Sequence, residues 1–318
     1  MLIKQADDRT NDIEILKSLL NYPAATPDMK KRIEQEIRNM GSGIKGEQDT
    51  AYEIGFHYDT SKNWAVIHDL RLEHNRRVAQ IDHLLINRFL DIWVCESKRF
   101  AEGIAINEQG ECAMFWNGRP QGIGSPHEQN TKHIAVLKAA CDDGAIKLPK
   151  RLGFSIKPNF TGLVVVSKNA RISRPKSKGW WDDGITKADQ VKAKIDKSFD
   201  SENNPLVMAK LISSETLHDF GKSVARRHIP ASFDWHAKFG LSKDFAAPVV
   251  VEVAPVAGLV PTPEEPPADS EPKKARLICN TCGATVEYKV ARFCWFNKAR
   301  YGGNVYCRDC QPNVLKPV

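Results

Sequence analysis

Between residues 78 and 98 the chain reads VAQIDHLLINRFLDIWVCESK, an apolar run broken by Asp82, Glu96 and Lys98. Two carboxylates and an ammonium suit metal-assisted hydrolysis of a phosphodiester. The oxygens hold a hard divalent ion, and the ammonium orients water or meets charge developing on phosphate. Alternation predicts a hairpin here. If NRFLD turns with Phe89 at its centre, paired positions sum to 178 and Asp82 faces Glu96. Directly opposed side chains have Cβ atoms about 5 Å apart. Lys98 lies two residues beyond Glu96 and therefore on the same face. Val78, Leu84, Ile86, Ile92 and Val94 make that face apolar. Two carboxylates so placed repel one another and resist burial, and Mg2+ or Mn2+ would relieve both costs. The competing reading is an ion pair of Lys98 with Asp82 or Glu96, without chemistry.

The elements around the hairpin follow from period and caps. TPDMKKRIEQEIRNMG predicts a helix with Thr26 as cap, Pro27 at its first position and Gly41 at its end. After the flexible GSG, KGEQDTAYEIGFHY predicts a further helix with Glu47 in its first turn. Strands are expected in WAVIHDLRL, RRVAQIDHLLIN and DIWVCESKRF, with weaker ones in GIAIN and CAMFW. SPHEQNTKHIAVLKAA predicts a helix capped by Ser125, with Pro126 and Glu128 completing the signal. TGLVVVSK reads as a buried central strand, and residues 185 to 246 as mostly helical. Residues 247 to 274, rich in Pro, Glu and Ala, predict an extended linker.

Eight cysteines are present, five of them between positions 279 and 310. Cys279 and Cys282, then Cys307 and Cys310, form two CxxC pairs separated by residues 283 to 306. Each CxxC turns two thiolates toward one ion, so the pairs predict a tetrahedral Zn2+ site in a ribbon whose hairpin has a long arm. So small a module would draw much of its folding free energy from the metal. Cys294 is read as a buried small apolar side chain. Between the pairs, Lys289, Arg292, Lys298 and Arg300 are interleaved with aromatic residues, a pattern suited to phosphates and stacked bases. Docking to another protein is the rival use of this module.

The order KGEQDTAYEI, QIDHLLI, CESK, SPHEQNTKHI, GLVVVS resembles the nuclease-related domain (NERD) family over roughly residues 41 to 175. That family is grouped with the PD-(D/E)xK nucleases, whose core is a mixed sheet flanked by helices. The resemblance implies that Asp82, Glu96 and Lys98 are the D…ExK set. It likewise implies Glu47 as the acidic residue of the preceding helix and Gln129 as the glutamine of the following one. In physical terms Glu47 in a first turn would complete the metal shell, or merely offset the helix dipole. Gln129 could bond a phosphate or a ligand water. His133, one turn later, is a supporting candidate, while His68, His74 and His83 are read as structural or peripheral, and Trp180 and Trp181 as core.

The expected fold is α/β: a restriction-endonuclease-like mixed sheet flanked by helices, with a small C-terminal zinc ribbon. The expected divisions are an N-terminal helical segment (1–40), the nuclease core (41–175), a helical extension (176–246), the linker (247–274) and the zinc module (275–318). A net charge of +7 agrees with a polyanionic partner. The first residues lack a secretory signal and no stretch is a membrane span, so a cytoplasmic location is expected. The chemistry points to a metal-dependent nuclease acting on nucleic acid, DNA ahead of RNA. The alternative is a non-catalytic nucleic-acid-binding or adaptor protein with a vestigial site.

Overall fold

The computed structural model describes residues 1–151, 153–200, 210–241 and 277–314. The chain separates into two compact units, Met1–Pro248 and Val249–Val318. The expected linker at 247–274 lies outside the described residues.

In the first unit, strand β1 (Leu2–Lys4) precedes helices α1 (Thr10–Leu20) and α2 (Pro27–Tyr58). Strands β2 (Trp64–His74), β3 (Arg77–Asn87) and β4 (Asp91–Lys98) form a meander, followed by β5 (Gly103–Ile106), β6 (Cys112–Trp116) and β7 (Arg119–Ile123). Helix α3 (Pro126–Asp142) leads through a two-residue pair, β8 (Lys150–Arg151) and β9 (Phe154–Ser155), to β10 (Asn159–Val166). The unit closes with β11 (Arg171–Ser173), α4 (Trp180–Asp183), β12 (Ile185–Lys187), α5 (Val191–Asp200), α6 (Ser214–Ala225) and α7 (Trp235–Phe239).

Among the described residues the main sheet has six strands in the order β1-β2-β3-β4-β10-β12. It is mixed: β2, β3 and β4 run antiparallel, while β1, β10 and β12 join their neighbours in parallel. Helices cover both faces. On one, α3 and α6 bury Val136, Leu137, Leu217 and Phe220 against Ile67, Leu84, Ile92 and Val94. On the other, α2 and α5 bury Ile54, Val191 and Ile195 against Val66, Trp93, Leu163 and Val165. This is the expected mixed α/β class. A smaller sheet, β11-β5-β6-β7, stands beside it.

Three local expectations are corrected. Gly41 does not end a helix: α2 runs without interruption from Pro27 to Tyr58, capped by the Thr26 side chain. Gly41 and Gly43 have open space around them, and the apolar residues on either side keep one buried stripe, with Ile33 and Ile54 fully buried. Packing on the sheet and on α1 outweighs the roughly 1 kcal/mol that each glycine costs a helix. Glu47 therefore sits within a long helix, not in a first turn, and the helix-dipole reading falls away. The second correction is that Ile185–Lys187, expected as helical, pairs with β10 as a sheet-edge strand. The third concerns alternation. The core-facing set on β2 passes from Ala65 and Ile67 to Leu70 and Leu72, and on β3 from Ala79 and Ile81 to Leu84 and Ile86. Both strands switch parity where Asp69, with φ 50°, breaks the extended backbone.

Helix α3 is fixed to the sheet by Asn130, which is buried and donates from Nδ2 to the Val94 carbonyl at 2.7 Å. Gly162 opposite leaves the room this needs, since a Cβ there would meet Asn130 at 3.3 Å. Substitution Asn130→Ala removes this donor from the Val94 carbonyl and should lower unfolding free energy by about 1–3 kcal/mol. Urea denaturation read by circular dichroism checks this.

Candidate nuclease site and cysteine cluster

The β3–β4 ladder keeps the expected register: His83 pairs with Cys95, Leu84 with Val94 and Ile86 with Ile92. Each pair sums to 178, which carries Asp82 to the position facing Glu96. The Ser97 amide donates to Asp82 Oδ2 at 2.7 Å and ties the two strands at that point. Lys98 Nζ lies 2.8 Å from Glu96 Oε1, so the cation and the carboxylate share a face. Glu96 is 2 % exposed.

Around these side chains opens a cavity of about 610 Å³ lined by Glu47, Asp82, Glu96, Lys98, Gln129 and His133 among others. All five side chains expected to cooperate, Glu47, Asp82, Glu96, Lys98 and Gln129, line this one space. Helix α2 supplies Glu47, the hairpin supplies the D…ExK set, and α3 supplies Gln129 with its neighbour His133. His133 Nε2 is 3.6 Å from Glu96 Oε2 and 3.5 Å from Gln129 Nε2.

Electrostatics of the site run against ionisation. Burial and then the nearby Asp82 push the Glu47 carboxyl up to about 7. Burial and then Glu96 likewise push Asp82 up to about 7. Glu96 is raised by burial, although Lys98 opposes the shift. Burial, then the charge of Lys98, lowers His133. Three carboxylates held against their tendency to take protons form a hard-oxygen donor set that a divalent cation would satisfy.

Several residues at the site escaped sequence reasoning. Asp69, buried at the strand irregularity, accepts from the Asp7 amide and from Gln80 Nε2. Arg9 reaches Asp69 Oδ1 at 3.4 Å and Glu47 Oε2 at 3.9 Å. His68 and His83, read as structural or peripheral, are a buried pair with Nδ1 atoms 2.8 Å apart, and His83 Nε2 meets Ser97 Oγ at 2.8 Å. Burial lowers the pKa of both imidazoles, with His83 further depressed by His68. Trp181 is buried as expected, and Trp180 stacks on His127 with ring centroids 4.5 Å apart.

In the second unit the expected cysteines gather. Ligand atoms of Cys279, Cys282, Cys307 and Cys310 all lie within 4.8 Å of one another. Among the described residues this is the set of three or more His, Cys, Asp or Glu side chains that meets so closely. Gly283, at φ 72°, provides the left-handed turn after the first pair, and the Asn280 amide donates to the Val305 carbonyl to join the two pairs. The Cys282 amide, then that of Cys307, draws the Cys279 thiol down to about 6, while the neighbouring Cys307 and Cys282 thiols push Cys310 up to about 12. Four cysteines are thus positioned to bind a metal. The expected long hairpin arm is replaced by helix α8 (Tyr288–Phe296) and a short α9 (Lys298–Tyr301). Only an isolated bridge, Ile278 with Thr285, is extended pairing among the described residues of this unit.

Cys294 is fully buried, as expected of a small apolar side chain, and accepts at Sγ from the Tyr306 amide. The side chains of Lys289, Arg292 and Lys298 lie outside the described residues. Arg300 donates to the Gln311 carbonyl at 3.2 Å and lies 5.4 Å from the centre of the Tyr301 ring. Phe293 and Trp295 are exposed.

A mixed sheet thus brings acidic residues, a lysine and a glutamine from two helices and a hairpin into one cavity. Residues 42–167 match the family model of the nuclease-related domain, NERD. No curated protein matches the chain. No solved structure matches it either. No helix among the described residues is long and apolar enough to cross a membrane.

The raised Glu47 carboxyl gives stability a definite pH dependence. The folded chain holds this proton more tightly than the unfolded one. Its contribution is therefore fully present below about 4.5, shrinks as pH rises toward 7, and is absent above. Glu47→Gln should flatten that slope and raise the melting temperature at pH 8 by a few degrees, on the order of 1 kcal/mol. Melting curves from pH 4.5 to 8 in EDTA check both parts.

Proposed function

We propose that the chain is a metal-dependent nuclease of the PD-(D/E)xK type, hydrolysing phosphodiester bonds in nucleic acid, DNA ahead of RNA. The observation that carries this reading is the single cavity shared by Glu47, Asp82, Glu96, Lys98 and Gln129 within the NERD segment. The carboxyl groups fit a divalent cation of the Mg2+ or Mn2+ kind. They offer hard oxygens, and their pKa values are raised by burial and then by mutual repulsion, both of which such an ion offsets.

Asp82 and Glu96 would hold the ion, with Glu47 completing its carboxylate set. Bound there, the ion would polarise a phosphoryl oxygen and lower the pKa of water. The residues of the chain do the rest. Lys98, anchored on Glu96, presents its ammonium where a water is oriented and where negative charge grows on the phosphate. The Ser97 amide fixes the Asp82 carboxylate in its rotamer. Gln129 holds a phosphate oxygen or a water through its amide, with His133 beside it.

The four cysteines suit Zn2+, whose preferred ligands are thiolates in a closed tetrahedron. We assign this module to nucleic-acid binding. The exposed rings of Phe293 and Trp295 offer stacking surfaces, and the basic residues Lys289, Arg292, Lys298 and Arg300 give it positive charge. Connected to the catalytic unit by residues 247–274, it would raise the local concentration of substrate. A cytoplasmic site of action accompanies this reading.

One observation favours the non-catalytic alternative. The carboxylates of the cavity do not gather as closely as the cysteines do, and Glu96 already has Lys98 as partner. A cleavage panel separates the two readings, using single-stranded, double-stranded and branched DNA and RNA with Mg2+, Mn2+ or EDTA. Cleavage should require the metal and fall at least about a hundredfold in Asp82→Asn and Lys98→Ala. Activity that survives both substitutions removes the assignment. For the module, Cys279→Ser combined with Cys282→Ser should abolish one equivalent of zinc by metal analysis. It should also weaken nucleic-acid binding and reduce its dependence on salt.

A further inference from the structure

The catalytic cavity has a neighbour. A second cavity of about 550 Å³ shares two lining residues with it, Glu47 and Asp82. The two spaces differ in chemistry. The first is lined by Glu96, Lys98 and Gln129, groups that suit a metal and a phosphate. The second takes much of its wall from outside the NERD segment: Arg9 and Ile13 from the N-terminal arm join Ile44, Gln48, Tyr52 and His68.

That lining is unsuited to a polyanion. Asp7, Asp8 and Asp59 border it, and its one arginine is already committed to Glu47 and Asp69. It does suit a neutral, planar group with polar edges. Ile13 and Ile44 are half-buried apolar walls, and Tyr52, 70 % exposed, offers a ring face. The Gln48 amide both donates and accepts, while Asp59 Oδ1 is buried without a hydrogen-bond partner. A volume of this size accommodates one small organic group, and apolar walls with a few polar atoms are the usual composition of such sites.

We propose that the second cavity receives the nucleoside adjoining the scissile phosphate, which makes the substrate a strand whose nucleotide at that position is unpaired. The proposal rests on the nuclease reading for its placement beside the cut. A paired base cannot enter, because its hydrogen-bonding edge and both its faces are occupied within a duplex. The backbone would cross the wall at Glu47 and Asp82, with the phosphate in the first cavity and the base behind it. Single-stranded nucleic acid and frayed ends are the substrates that meet this condition.

The test uses the full chain and single-stranded oligonucleotides carrying one abasic residue at successive positions. Binding is read by fluorescence anisotropy in EDTA, and the cut is mapped separately with Mn2+. One position should stand out, its abasic substitution weakening binding about tenfold, as expected for loss of one stacked base. That position should adjoin the mapped cut. Tyr52→Ala and Gln48→Ala, both at exposed positions, should weaken binding of the intact oligonucleotide and leave the abasic one unchanged. A flat abasic profile overturns the proposal, and so does a penalty that persists undiminished in both variants. Cleavage with a flat profile removes the pocket and keeps the nuclease. A peaked profile without cleavage under any metal keeps the pocket and removes the nuclease.

Discussion

The structure depends on bringing like charges together inside a sheet. Asp82, Glu96, Glu47 and Asp69 come from three strands and a helix, and none could stay ionised in an apolar interior alone. The fold answers with partial measures: the Lys98 ammonium on Glu96, the Ser97 amide on Asp82, and Arg9 between Asp69 and Glu47. These offset part of the cost and leave the rest as raised pKa values at Glu47, Asp82 and Glu96. A rigid frame is needed to maintain that arrangement. The frame consists of central strands buried on both faces, with Asn130 pinning α3 against them.

The parity switch at Asp69 lets both faces of the sheet contribute to one place. Without it, Asp82 and the histidine pair would belong to opposite sides and share no wall. With it, Asp82 borders two cavities, and the His83–Ser97 contact reaches the strand that carries Glu96 and Lys98. A single residue with positive φ thus sits where the two cavities meet on the sheet.

The hairpin was legible from sequence because a short turn leaves few registers and the apolar pattern selects among them. The cysteine pairs were legible because ligand spacing is set by backbone geometry that hardly varies. Glu47 was placed on the correct helix but at the wrong point, since Gly-Ser-Gly ordinarily marks a break and only tertiary packing carries α2 through it. Arg9, Asp69 and the histidine pair were not readable as one group. Their meeting depends on a positive φ at an aspartate and on an arm distant in sequence, and neither leaves a periodic signal. The helix between the cysteine pairs was missed for a related reason, because the aromatic and basic interleaving fits a strand or a helix equally well.

The Gly-Ser-Gly stretch at 41–43 has a consequence for how the cavity could open. It is the weakest turn of a long helix, its two glycines have open space where a Cβ would stand, and Glu47 lies about one turn further on. The helix beyond it is locked to the sheet by Ile54 and Tyr58, and the helix before it is held by Ile33 against α1 and α7. Strain applied by an entering strand would therefore concentrate at those three residues. A hinge placed there would let the Glu47 end of the helix yield as a lever while both hydrophobic anchors stay in place.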